Sequence, residues 1–133
     1  MFKKFFERAA AKASLVNIKF DLDNLARAFP HNASAASKAI FSLLENITLA
    51  FSNNASEAEV QELIAAKSAT FTSVLKDILD HLFRLILAST RGDTAAVNRH
   101  DERINELFRS ATGAPLDVTR TSWFAKLAIR SNK

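Results

Sequence analysis

The chain of 133 residues contains no cysteine, two glycines and two prolines. Without cysteine it can form no disulfide, present no thiolate nucleophile and hold no cysteine-ligated zinc or iron–sulfur centre. So few glycines and prolines leave the chain few places to turn tightly, and long helices are the natural consequence.

Long hydrophobic runs are also missing. No uncharged apolar run approaches the ~20 residues that a membrane-spanning helix needs. The first residues are basic, but Glu7 and Arg8 follow at once and no apolar core of a secretion signal appears. We therefore expect a cytoplasmic protein, and the lack of cysteine mildly supports that expectation.

Motifs that carry catalytic chemistry are scarce as well. Both glycines fall where helices are expected to end, so neither belongs to a phosphate-binding loop. No serine stands in a nucleophile-elbow context, and no two histidines are spaced as in a helical zinc protease. We expect a protein that is not an enzyme and that uses no cofactor and no metal.

Apolar residues recur at helical spacing along the whole chain, and no strand-like alternation competes with them. The pattern predicts an all-α, single-domain bundle of about five helices over residues 1–133, with a long central third helix. The second half of that helix is apolar nearly all round, which is typical of a helix surrounded by protein. The predicted helices cover about 2–29 (with an open question of a break near Asp21), 34–52, 56–91 and 93–113, and a short last helix holds Trp123 and Phe124.

The opening stretch "MFKKFFERAAAKA" has three competing interpretations. Phenylalanines set against lysines are typical of a membrane-surface helix, and the basic residues alone would suit a nucleic-acid arm. The third interpretation is a bundle helix, favoured because one apolar stripe continues at alternating spacings of four and three. In that interpretation Phe2 and Phe6 point inward while Phe5 points outward. The stripe comprises Phe2, Phe6, Ala9, Ala13, Val16 and Phe20.

The positive charge lies in the two ends of the chain. Residues 1–30 carry six basic and three acidic side chains, residues 31–113 eight and ten, and residues 114–133 four and one. Ends that are basic and aromatic together suit docking onto an acidic partner with a hydrophobic groove. The predicted contact residues are Phe2, Lys3, Lys4, Phe5, Arg8, Trp123, Phe124, Lys126 and Arg130.

These features favour a small non-enzymatic protein that acts by protein–protein binding, as a regulatory adaptor, an inhibitor or an accessory subunit. The alternative is peripheral association with nucleic acid or an anionic membrane surface through the basic ends. A homo-oligomer is a further alternative, in which the third helix offers Val60, Ile64 and Phe71 to a second copy.

One polar cluster is predicted inside the bundle. If the third and fourth helices form a hairpin about the turn at 90–93, His81 and Asp101 lie at the same level, joined by Asp77 or His100. Imidazoles and carboxylates together can form a metal or acid–base site. The alternative, which we favour, is a half-buried polar pair whose two side chains hydrogen-bond each other and fix the register of two helices.

Overall fold

The computed structural model describes residues 2–116, and this part of the chain forms five α-helices and no strand. The all-α prediction is therefore confirmed for the described residues. The predicted last helix, with Trp123, Phe124, Lys126 and Arg130, lies outside them. The five helices are α1 (Phe2–Ala28), α2 (Ala33–Ser52), α3 (Glu57–Lys67), α4 (Ser73–Thr90) and α5 (Thr94–Thr112).

Helices α1 and α2 form an antiparallel hairpin. α1 runs without a break through Asp21, and it ends just before the Phe29–Pro30 peptide, which is cis. The Asn32 side chain then accepts a hydrogen bond from the amide of Ala35 at 3.1 Å and so caps α2. The inward face of α2 buries Ala36, Ile40, Leu43, Leu44 and Ile47.

The long third helix of the prediction is wrong, because the chain breaks into a short α3 and a separate α4. α3 ends at Lys67, and the amide of the capping residue Ser68 still bonds to the carbonyl of Ile64. Thr72 then caps α4 by accepting from the amide of Leu75 at 3.4 Å. The sequence "KSATFT" holds no glycine or proline, but its hydroxyl side chains compete with the helix for backbone hydrogen bonds. The Thr72 cap therefore starts α4 as a separate helix.

Helices α4 and α5 form a second hairpin, and α4 supplies much of the core. Gly92 adopts a positive φ of 72° in the turn, and Asp93 caps α5 through the amide of Ala96. As expected for a helix surrounded by protein, α4 buries Leu79, Leu82, Phe83, Leu85 and Ile86.

The two hairpins share one hydrophobic core. Phe29 packs against Phe108, and Phe51 packs against Phe83, so rings from the first hairpin meet rings from the second. α3 begins with a capping box formed by Ser56 and Glu59, and it lies against α1. With α2 and α3 both packed on one side of α1, the opposite side of α1 faces outward.

The predicted homo-oligomer contact through the third helix is also wrong. Val60 and Ile64 are buried within the bundle, and Phe71 lies partly buried against the core in the break between α3 and α4. These three side chains already have partners in the same chain, so they do not form an exposed contact surface.

Candidate interaction surface

Helix α1 carries apolar residues on two opposite sides. Its inner side packs into the core through Ala11, Ile18, Leu22 and Leu25. At 3.6 residues per turn, a second apolar set falls on the other side of the helix. We call this set the outward face of α1, and it consists of Phe2, Phe5, Phe6, Ala9, Ala13, Val16 and Phe20.

Every residue of the outward face is exposed. Phe2, Phe5, Phe6 and Phe20 expose 76%, 68%, 64% and 61% of their surface, and Val16 exposes 48%. The prediction that Phe2 and Phe6 point inward is therefore wrong. The alternating stripe does lie on a helix, but the neighbouring helices cover the opposite side of α1.

The first turns of α1 are tied to the rest of the bundle by polar contacts. The Arg8 guanidinium donates two hydrogen bonds to the Glu59 carboxylate on α3, at 3.1 and 2.9 Å. Asn54 donates to the Glu7 carboxylate at 2.6 Å. The Arg8 guanidinium holds the pKa of the Glu59 carboxyl below its ordinary value. Arg8, predicted as a contact residue for a partner, is thus engaged within its own chain.

Two exposed lysines, Lys12 and Lys19, follow one edge of the outward face. Lys3 and Lys4 are exposed at the start of the helix and lie toward its other side. The N-terminal end of α1 is also aromatic, and there the rings of Phe5 and Phe6 meet edge to face at a centroid distance of 5.7 Å. The structure therefore places Phe2, Lys3, Lys4 and Phe5 together at one exposed end of α1.

The second half of the predicted contact surface lies beyond the described residues. Trp123, Phe124, Lys126 and Arg130 follow residue 116, where the described chain ends. Their place relative to α1 stays a prediction.

The predicted polar cluster between α4 and α5 is centred on two histidines. Nδ1 of His81 lies 3.0 Å from Nδ1 of His100, and both rings are partly buried. A hydrogen bond between two Nδ1 atoms needs one ring to donate and the other to accept. Desolvation, followed by the positive charges of its surroundings, lowers the pKa of His100.

The two acidic members of that predicted cluster lie in different environments. Asp77 is exposed. Asp101 is 3% exposed, and its carboxylate and carbonyl oxygens accept from the amide of Asn105 at 3.2 and 2.8 Å. Among residues 2–116, no three histidine or acidic side chains are arranged to hold a metal ion. The histidine pair fits the role of fixing helix register better than that of a metal site.

Sequence reasoning missed a polar contact between α1 and α2. The buried Asp21 carboxylate accepts from the Ser42 hydroxyl at 2.8 Å and from the Asn46 amide at 2.7 Å. Burial raises the pKa of Asp21, while the two hydrogen bonds oppose that rise. One signal was available, because Asp21 stands between Ile18 and Leu22 on the inner stripe. Its partners depend on the register of the hairpin, which periodicity alone does not give.

In the described part of the chain, none of the helices combines the length and the apolar character needed to cross a bilayer.

No family model matches this chain, and no curated protein or solved structure is significantly similar to it. The function is therefore argued from the geometry of the outward face.

Proposed function

We propose that this chain is a non-enzymatic binding protein whose outward face on α1 docks another protein. The observation that carries this proposal is the exposure of four phenylalanines and one valine along one side of a helix whose other side is anchored in the core. Contiguous exposed apolar surface on a folded domain typically marks an interaction site.

The shape of the surface supports a protein partner. The outward face is one straight side of a helix, with apolar residues at the spacing used when an amphipathic helix fits into a hydrophobic groove. The phenylalanines are the side chains expected to contribute most of the binding energy. The lysines at its border are expected to steer an acidic partner and to set the association rate.

In this proposal Phe2, Phe5, Phe6 and Phe20 enter the partner's groove, and Lys12 and Lys19 remain at the rim. Lys3 and Lys4 add positive charge at the start of the helix. Arg8 has a structural role, because it holds α1 against α3 through Glu59. An adaptor, an inhibitor and an accessory subunit would all use such a face. Its position outside the core leaves the fold intact when the partner is absent.

The test places a photoreactive amino acid at Ala13, in the middle of the outward face, and at the exposed Ala95 on α5 as the matched control. In extract of the native host at physiological salt, position 13 should give a discrete protein adduct and position 95 should not. Adding Phe6→Ser and Phe20→Ser should abolish the adduct. An adduct that survives both changes would contradict the proposal.

The alternative, association with anionic membranes or nucleic acid, is tested on the same variants. Vesicles of equal parts phosphatidylglycerol and phosphatidylcholine, and a random-sequence duplex, serve as probes. Binding that depends on Phe6 and Phe20 and falls steeply between about 50 and 200 mM salt would replace the protein partner with a phosphate-bearing surface. Docking into an apolar groove should survive that increase in salt.

A further inference from the structure

We propose that the outward face of α1 docks onto the same face of a second copy of this chain, with the two α1 helices antiparallel. This inference rests on the proposed function and names a second copy as the occupant of this face when no acidic partner is bound. The bundle is packed on the opposite side of α1, so two copies can approach through this face without their cores meeting.

The spacing along the outward face fits a helix partner. Intervals of four and three residues average 3.5, the period that keeps an apolar seam facing one neighbouring helix. The alanines in the middle let two helix axes come close, and larger side chains fill both ends. The seam consists of Phe2, Phe6, Ala9, Ala13, Val16 and Phe20.

An antiparallel pair matches this seam to itself. When Ala9 faces Ala13 of the second copy, Phe6 faces Val16 and Phe2 faces Phe20, and the reciprocal contacts repeat across the two-fold axis. Small side chains then meet small ones, and large side chains meet large ones. The contact is isologous, as in most dimers of identical chains.

Charge favours the antiparallel pair over a parallel one. Residues 2–12 carry four basic side chains and one acidic one, whereas residues 19–25 carry one basic and two acidic ones. A parallel pair would bring two basic ends together and align two helix dipoles. The antiparallel pair instead keeps the two basic ends apart and opposes the two helix dipoles.

The area is sufficient for a weak, specific dimer. A phenylalanine side chain buries 150–250 Å² when covered, so four that are about two-thirds exposed, with Val16, offer on the order of 500 Å² per copy. Two copies would bury about 1,000 Å², near the lower limit for a specific interface. Lys12 of each copy lies close to the two-fold axis, so like charges weaken the pair and keep it exchangeable for a more acidic partner.

Sedimentation velocity on the full chain tests association over about 1 μM to 1 mM, the range expected for a small interface. The wild type should dimerise, and Phe6→Ser with Phe20→Ser should weaken the dimer at least about tenfold. Leu49→Ser, at the exposed apolar residue on α2, is the matched control and should leave the dimer unchanged. Raising the salt concentration should strengthen the dimer, because it screens the paired lysines.

Because the chain has no cysteine, introduced thiols report the orientation directly. Ala9→Cys and Ala13→Cys proteins, mixed in equal amounts, should form the mixed disulfide several times faster than either homodisulfide. Ala95→Cys on α5 should cross-link only at the background rate. Faster homodisulfides at positions 9 and 13 would overturn the antiparallel pair.

Failure of this inference is distinguishable from failure of the proposed function. A monomer throughout the concentration range, with no mixed disulfide, overturns the second copy as the partner. If position 13 still gives a Phe-dependent adduct with another protein, the outward face remains a docking surface for that protein. A dimer that Phe6→Ser and Phe20→Ser leave intact uses another surface, and it also overturns the inference.

Discussion

Helices α1 and α4 both carry apolar side chains on more than one side, but they occupy different places in the fold. α4 lies among its neighbours, and the largest side chains on its several faces, such as Leu82 and Phe83, are buried. α1 lies at the edge, where α2 and α3 cover its inner side and leave its phenylalanines exposed. Similar helical patterns of apolar residues are therefore buried in α4 and partly exposed in α1.

The difference shows what an amphipathic pattern encodes. Apolar residues at helical spacing identify a side of a helix that can be buried, and the tertiary arrangement decides what buries it. In α4 the covering residues belong to the same chain. In α1 one side is covered by the same chain, and we infer that a second molecule covers the other side.

The largest effect is expected from shortening a buried side chain of α4. Leu82 is 0% exposed, so Leu82→Ala removes buried methyl groups and leaves a cavity. We expect a loss of about 2–5 kcal/mol in the free energy of unfolding, measured by urea denaturation. A loss below about 1 kcal/mol would show that α4 is not central to the core.

A pair of substitutions two residues apart on α1 separates its two sides. Ile18 is 0% exposed and Phe20 is 61% exposed. Ile18→Ala should cost about 2–5 kcal/mol in unfolding free energy. Phe20→Ala should change it by less than about 0.5 kcal/mol at protein concentrations too low for association.

Equal losses at both positions would contradict the outward orientation of Phe20. A large loss at Phe20 that appears only at high protein concentration would instead support the dimer, since association stabilises the folded state by mass action.

Much of the helical framework could be predicted from local signals. The capping box at Ser56 and the caps at Asp93 and Gly113 follow from residue type and spacing, and the structure has all three. Asn54 takes the left-handed conformation that ends a helix, with φ of 65°. These features depend on a few neighbouring residues, which the sequence specifies directly.

The remaining features depend on contacts that are remote in sequence. The break after Ser68 was missed because neither glycine nor proline marks it. The outward orientation of Phe6 follows from where α2 and α3 dock, which the stripe does not specify. The sequence predicts His81 opposite Asp101, whereas in the structure His81 lies against His100, the residue before Asp101. A shift of one residue in the register of the two helices decides which side chains meet.

A smaller effect is expected at the break that separates α3 from α4. Thr72→Ala removes the hydroxyl that accepts from the amide of Leu75. Loss of such a cap should cost about 0.5–2 kcal/mol in unfolding free energy, and Thr72→Ser should restore most of it. If Thr72→Ala stabilises the protein, a continuous α3–α4 helix is accessible and the cap is not what separates the two helices.

The polar contacts of the two hairpins should respond to pH in opposite directions. Burial raises the pKa of Asp21, so the folded state holds more protons than the unfolded state above the ordinary carboxyl pKa of about 4. Stability from this group therefore falls as pH rises from about 4 through the raised pKa. Asp21→Asn should remove that slope in urea midpoints taken across the range, whatever its effect on absolute stability. An unchanged slope would show that Asp21 is not the group responsible for it.

The smallest expected effect concerns His100, at the contact between α4 and α5. Desolvation and the nearby positive charges lower the pKa of His100, so below about 6.5 the unfolded state binds more protons than the folded state. Stability from this group is fully present above that pH and is lost as the pH falls through the window below it. His100→Gln keeps a polar partner for His81 but does not titrate, so its urea midpoint should fall less than that of the wild type between about pH 7 and pH 5.5. Parallel curves for the two proteins would show that the histidine pair does not couple the stability of this hairpin to pH.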